Sequence, residues 1–303
     1  MRSDLDERER ALLVPTRLAR GKTARTVAPH LALAIGRNDD SQLVLADEAR
    51  LGRALEATAR EVAGTRARED GGVARIDAPH ASALPLAPRW LESALPGATS
   101  ALVCVPSRDT LLFAVDGDDD VVRRLADRAE RAYHAARAPV SPAIYEARAD
   151  GTLTPFRATG ALANATALGH ALLTMSEYEA QRAELDATSS AGVSIAECQL
   201  VFRREDDRPT TVATWGEHVT TLLPIVDVVV VAGGDPNAGG WRFALAWDRA
   251  EATVAASCWR RDESLVPARV RTVAWPDAST LRALYTARDA LLATTASPPP
   301  DPG

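Results

Sequence analysis

Lysine is almost missing from this sequence. It occurs once, at Lys22, and arginine carries the rest of the positive charge. A bias that uniform reads as composition along the whole chain. It does not mark one site, although an arginine cluster can grip carboxylate or phosphate bidentately. Cysteine is scarce as well. Cys104, Cys198 and Cys258 are an odd number at wide spacing, with no C-x-x-C pair. That argues against a disulfide framework and for reduced, buried thiols in a reducing compartment. Long apolar runs are absent. The longest, Ile225–Ala232, carries Asp227 and is far too short to span a bilayer. The opening MRSDLDERER is charged throughout and has no signal-peptide core. The expectation is a soluble cytoplasmic protein without a membrane partner. A basic excess is missing too, because the net charge is −6, and this disfavours nucleic acid as a general partner. One local exception runs from Arg10 to Arg37. There Arg10, Arg17, Arg20, Lys22, Arg25 and Arg37 stand with no acidic residue between them. It reads as a mildly positive solvated surface.

The usual signatures of catalysis are also wanting. His30, His80, His134, His170 and His218 show no H-x-x-x-H or H-x-H spacing, so a zinc site would need assembly from distant pieces. No G-x-S-x-G occurs, which leaves a hydrolase elbow without support. Gly233–Gly240 follows a strand but lacks the phosphate-cradle spacings, and it reads as a hairpin loop. Asp116–Asp120 looks like the front of a calcium loop. The glycine and glutamate such a loop needs at its sixth and twelfth positions are replaced by Val121 and Asp127. Aspartates charging a helix N-terminus explain the run better. No metal and no cofactor is expected.

What is present is ordinary globular composition, 46% hydrophobic and 25% charged over 303 residues. A chain this long can bury roughly 75% of its unfolded surface without a staple. The centre of the reading is Ala101–Val115. Two β-prone runs, Ala101–Val105 and Thr110–Val115, flank Pro106-Ser107-Arg108-Asp109 as a hairpin. A helix follows, with Val121, Val122, Leu125, Ala129, Ala132 and Tyr133 on one stripe. Earlier, Leu31–Ile35 and Gln42–Ala46 read as paired strands. The helix after them has Leu51, Leu55, Thr58 and Val62 inward and a stop at Gly64. The first half thus reads as two strand-strand-helix units. Residues 1–11 read as a frayed lead-in and 66–86 as a connector. A short helix is expected over Leu86–Leu95.

The second half opens with a buried helix over Ala161–Met175. Ser176–Glu179 has the form of a capping box that starts another. Strands are expected at Val193–Arg203, Thr210–Trp215, Ile225–Ala232, Trp241–Trp247 and Val270–Trp275. A helix with Leu281, Leu284, Tyr285, Leu291 and Leu292 inward follows. Ser297–Gly303 is a proline-rich tail. A faint internal echo links Pro106-x-x-Asp109 with Pro224-x-x-Asp227, each followed by an apolar strand. The fold class is α+β, with antiparallel sheets and helices on one face. The expected divisions are 12–158, 159–296 and the tail 297–303.

The N-terminal half, loosely Val14 to Phe156, resembles the uncharacterised bacterial proteins of the YtpQ type, a family whose domain has no known function. Val105-Pro-Ser-Arg-Asp-Thr-Leu-Leu-Phe113 carries most of the likeness. Ser141-Pro-Ala-Ile-Tyr145, Asp150-Gly151, Pro155-Phe156 and Leu51-Gly52 add to it. The resemblance implies the fold and brings no catalytic set.

The functional expectation is a non-catalytic protein-binding or regulatory module of chaperone, immunity or adaptor type, with another protein as partner. Its candidate contacts are Arg108 and Asp109 at the hairpin, Asp227 at the echo, and Trp215. Five of the six tryptophans, Trp215, Trp241, Trp247, Trp259 and Trp275, fall in the second half and read mainly as an aromatic core. The alternative is an enzyme, a hydrolase being one candidate class, with a dispersed site drawn from Cys104, Arg108, Asp109 and His218.

Overall fold

A computed structural model describes residues 9–19, 24–37, 42–44, 47–63, 65–114, 118–188, 192–234 and 240–288. The chain divides into two compact units, Met1–Leu173 and Thr174–Gly303. The division falls inside a helix rather than near residue 158. The fold is α+β, and each unit holds two sheets.

In the first unit, β1 (Glu9–Pro15) pairs antiparallel with β3 (Leu31–Arg37). On its other side β3 receives β2 (Arg25–Ala28) and β4 (Gln42–Val44). The charged lead-in therefore ends sooner than its composition implies. Glu9 is a strand residue with no exposure, neutralised by Arg50, whose Nε and Nη2 donate to its carboxylate at 3.0 and 2.5 Å. Breaking such a buried pair by removing one partner costs about 3–5 kcal/mol. The outer edge of β1 is closed by hydroxyls. The Ala11 N–H donates to Thr58 Oγ1 at 3.1 Å, and the Leu13 N–H to Ser82 Oγ at 3.3 Å. Thr58 lies on α1 (Glu48–Val62), whose N-cap Asp47 accepts from the Arg50 N–H at 2.7 Å. Leu51, Leu55, Thr58 and Val62 all face inward, as their spacing predicts. Gly64 lies outside the described residues.

The second sheet is built on β7 (Ser100–Ser107) and β8 (Thr110–Ala114), the expected hairpin. Its order is β10–β9–β7–β8–β6–β5, all antiparallel. Strands β5 (Arg68–Asp70) and β6 (Val73–Asp77) fill the supposed connector, and β9 (Ile144–Arg148) and β10 (Leu153–Pro155) form a second hairpin. The β5–β6 turn is Gly71-Gly72, with φ of +58° and +79°, a left-handed turn open to glycine. Helix α2 (Trp90–Ala94) is the short helix expected near there.

This sheet is covered on both faces, not one. On one side, α3 (Asp119–Ala135) lays Val121, Val122, Leu125 and Ala129 against Leu102, Cys104, Leu112 and Ala114. Asp118 caps α3 by accepting from the Asp120 N–H at 2.7 Å, which supports the capping reading of the aspartate run. On the other side, Val103, Val105, Leu111 and Phe113 join α1, Trp90 and the first sheet in one core. The repeated strand-strand-helix units exist, but their strands belong to different sheets.

A single helix, α4 (Ala163–Thr188), spans both of the expected helices. The capping-box spacing of Ser176 and Glu179 also fits a helix interior, and nothing nearby breaks the run. Gly169 lets α4 approach an extended segment. A Cβ there would stand 2.5 Å from the Pro142 carbonyl oxygen.

In the second unit, β12 (Gln199–Phe202), β13 (Pro209–Gly216), β15 (Val228–Gly233) and β16 (Trp241–Ala246) form one sheet. The other contains β11 (Val193–Ile195), β14 (Thr220–Pro224), β17 (Trp259–Asp262) and β18 (Arg269–Thr272). These sheets are mixed, because β13–β15 and β11–β14 are parallel. The β13–β15 pair joins the β12–β13 and β15–β16 hairpins. Helix α5 (Trp247–Cys258), which begins where a strand was expected to end, and α6 (Ala278–Thr286) complete the unit. Asp277 caps α6, accepting from the Thr280 N–H at 2.7 Å. Leu291, Leu292 and the tail lie outside the described residues.

Candidate functional site

The β7–β8 turn is the two residues Arg108 and Asp109. Asp109 Oδ1 accepts the His80 N–H at 3.0 Å, and the Asp109 and Arg108 carbonyls accept from the Ala78 and Ser82 N–H groups, each at 3.0 Å. Asp109 does satisfy a backbone donor, but across to residues 78–82 rather than within its own hairpin. His80 has φ +64°, so the carboxylate fixes a left-handed turn. Arg108 is half-buried beside it. The pair forms a structural joint.

Asp227 works in a similar way in the second unit. Its Oδ2 accepts both the N–H and the O–H of Thr211, at 2.9 and 2.7 Å, and its own N–H donates to Thr211 Oγ1 at 3.0 Å. What the echo shares is a carboxylate placed just before a buried strand that accepts a backbone N–H from another segment. The topology differs, since β14 and β15 lie in different sheets.

Trp215 is 1% exposed, with its ring centroid 5.2 Å from that of Trp259 and 5.1 Å from that of Trp275. It is core and offers no contact surface. Cys104 is buried, and its Sγ donates to the Ser141 carbonyl at 3.3 Å. Burial pushes its thiol well above the usual range, so little thiolate forms. His218 lies in the other unit, exposed, with Nε2 3.2 Å from Glu217 Oε1. Cys104 is therefore inert packing in the first unit, and His218 is a surface residue of the second. Cys198 and Cys258 are also free and buried. Among the described residues no group of three metal-ligating side chains occurs, and no helix is long and apolar enough to cross a membrane. Residues 235–239 of the glycine-rich loop lie outside the described residues.

Two clefts lie on opposite faces of the six-stranded sheet. One, of about 720 Å³, has Ile76, Leu84, Trp90 and Phe113 in its lining, and its Arg89 and Glu92 pair at 3.0 Å. The other, of about 670 Å³, lies between α3 and β6–β8, with Arg75, Arg128, Arg131, Ser107 and Thr110 in its walls.

The second unit holds a different kind of feature at its edge. Strand β12 reads Gln-Leu-Val-Phe and among the described residues has one neighbour, β13. Val201 is 37% and Phe202 57% exposed. The Arg203 N–H donates to the Arg208 carbonyl at 3.0 Å, and Phe202 stands opposite Pro209. Antiparallel alternation then turns the Val201 and Gln199 backbone groups toward β13, and those of Leu200 and Phe202 outward. Four other edges are blunted. β5 is Arg-Glu-Asp, β17 carries Arg260 and Arg261, β10 ends in Pro155, and β1 is closed by its hydroxyls. Sequence reading placed residues 199–202 inside one long strand, Val193–Arg203. The missed signal was an uncharged run beside a turn proline. No protein-family model, no curated protein and no solved structure matches the chain.

Proposed function

We propose that the protein is a non-catalytic, cytoplasmic protein-binding module related to the YtpQ type. In this reading its second unit takes an extended apolar segment of a partner protein as an added strand on β12. The observation that carries this is the β12 edge, unpaired among the described residues, with outward N–H and C=O groups on Leu200 and Phe202 and exposed Val201 and Phe202 side chains. Backbone bonds would supply affinity, and side chains on alternate faces would supply selectivity. An edge of this composition invites pairing unless a partner uses it. The three buried thiols fit a reducing compartment.

The test is a displayed peptide library selected on the immobilised full chain. Enriched peptides should be apolar in alternation and free of proline. Phe202→Pro removes an outward N–H while sparing the ladder to β13, so it should abolish capture with little change in melting temperature. Phe202→Ala should weaken capture only in part. Enriched peptides that bind Phe202→Pro undiminished would sink the proposal. So would a wild-type chain that dimerises through this edge, because the occupant is then a second copy.

A further inference from the structure

The arginines of α3 carry an inference that is independent of the β12 reading. Arg124, Arg128 and Arg131 share one stripe of the helix. The first two are spent on the β5–β6 turn. Arg124 Nε donates to the Gly71 carbonyl at 2.8 Å, and Arg128 donates to the Asp70 carbonyl and carboxylate at 3.0 and 2.5 Å. That turn sits close on the helix, since a Cβ on Gly72 would stand 2.8 Å from Val121. Arg131 is next along the stripe, exposed, and has no hydrogen-bond or ion-pair partner among the described residues. It lines the cleft of about 670 Å³.

Arg75 lines the same cleft from β6. Its Nε donates to Asp77 at 2.6 Å, and Thr110 Oγ1 donates to the other carboxylate oxygen at 3.0 Å. The Asp77 carboxylate is thus held on both sides and fixes the guanidinium, whose Nη groups stay unpaired among the described residues. The Ser107 hydroxyl, on β7 beyond β8, is unpaired in the same sense. Three guanidinium groups and one carboxylate, Asp70, line the cleft, and with Arg75 paired to Asp77 and Arg128 to Asp70, the charge of Arg131 is left over on a chain of net charge −6. No aromatic ring is among the lining residues.

We infer that this cleft binds a small phosphorylated molecule without an aromatic base, its phosphoryl oxygens taken by Arg131, the Nη groups of Arg75 and the Ser107 hydroxyl. Planar guanidinium forks match a phosphoryl group bidentately, and the volume suits a ligand of sugar-phosphate size. A carboxylate carries less charge and has no third oxygen for Ser107.

The test uses glucose 6-phosphate, glucose and inorganic phosphate as probes, followed by nitrogen-edited NMR of the full chain. Glucose 6-phosphate and phosphate should give saturable shifts at Arg75, Ser107 and Arg131, and glucose none. Arg131→Ala should weaken binding about tenfold or more, as loss of a charge-assisted pair does. Ser107→Ala should weaken it less, and Arg137→Ala, an exposed arginine outside the cleft, should leave it unchanged. Shifts that do not saturate at millimolar phosphate overturn the inference. Equal losses from Arg131→Ala and Arg137→Ala also overturn it, because they would mark general charge attraction.

Discussion

Acid should destabilise the first unit through His30. This residue sits in the β2–β3 turn at φ +61°, and its carbonyl accepts the Thr16 N–H at 3.0 Å. Burial, and then the nearby His170, lower its pKa from 6.5 to about 4. His170 is itself anchored, with Nε2 3.1 Å from the Phe156 carbonyl and its ring 5.9 Å from that of Tyr145. The unfolded chain protonates His30 near 6.5, while the folded chain resists until about 4. Between those values the unfolded state binds more protons. The stabilisation is therefore complete above 6.5 and is lost as pH falls toward 4. A displacement of that size corresponds to about 3 kcal/mol, a large part of an ordinary stability of about 5–15 kcal/mol. The assay is a set of urea melts between neutral pH and about pH 4.5, comparing wild type with His30→Asn. Asparagine accepts the left-handed backbone without a titrating group. Wild type should lose about 2–3 kcal/mol relative to the variant over this range. Parallel profiles for the two chains would refute the reasoning.

Asp227→Ala should cost about 2 kcal/mol, since it strips two donors from one carboxylate, and Asp109→Ala less, at about 1 kcal/mol; chemical denaturation of both variants checks the order. Arg269 has no exposure, and it donates to Gln181 Oε1 at 2.5 Å and to the Ala196, Leu222 and Tyr178 carbonyls at 2.9, 3.0 and 3.1 Å. Arg269→Leu leaves those acceptors buried and unmet, at about 3 kcal/mol or more, and a melt within about 1 kcal/mol of wild type would contradict this. Thiol titration of the native chain should show no fast phase at Cys104, Cys198 or Cys258. Alkali should destabilise the second unit. Burial raises Cys198 from 9.0 and Tyr178 from 10.0, each to about 12, so stability holds below about pH 9 and falls as pH rises toward 12, followed by melts in that range.

Much of the framework was legible because it rests on local patterns. Asp47 and the stripe Leu51–Leu55–Thr58–Val62 announce α1, and two apolar runs about Pro106–Asp109 announce the central hairpin. The misses share a physical cause. Glu9 looks like a solvent residue until a residue 41 positions away neutralises it, and so β1 was hidden. Arg-Glu-Asp-Gly-Gly reads as a loop by composition, although Gly71-Gly72 is a turn that only a hairpin needs. Ser176–Glu179 has a cap's spacing inside an unbroken helix. Trp215 could be placed by class but not by exposure, because burial is decided by Trp259 and Trp275 across the sheets. The candidate edge and cleft were less legible still. Each depends on which backbone or guanidinium groups the fold leaves unspent, and no local pattern records that.

Amide hydrogen exchange at β12 tests the central claim most directly. In the chain alone, the Leu200 and Phe202 amides should exchange fast while Val201, bonded toward β13, is protected. With a selected peptide bound, Leu200 and Phe202 should become protected together, in the alternation an added strand imposes. Unchanged exchange at both amides, with the peptide bound and protection arising elsewhere, would contradict the account.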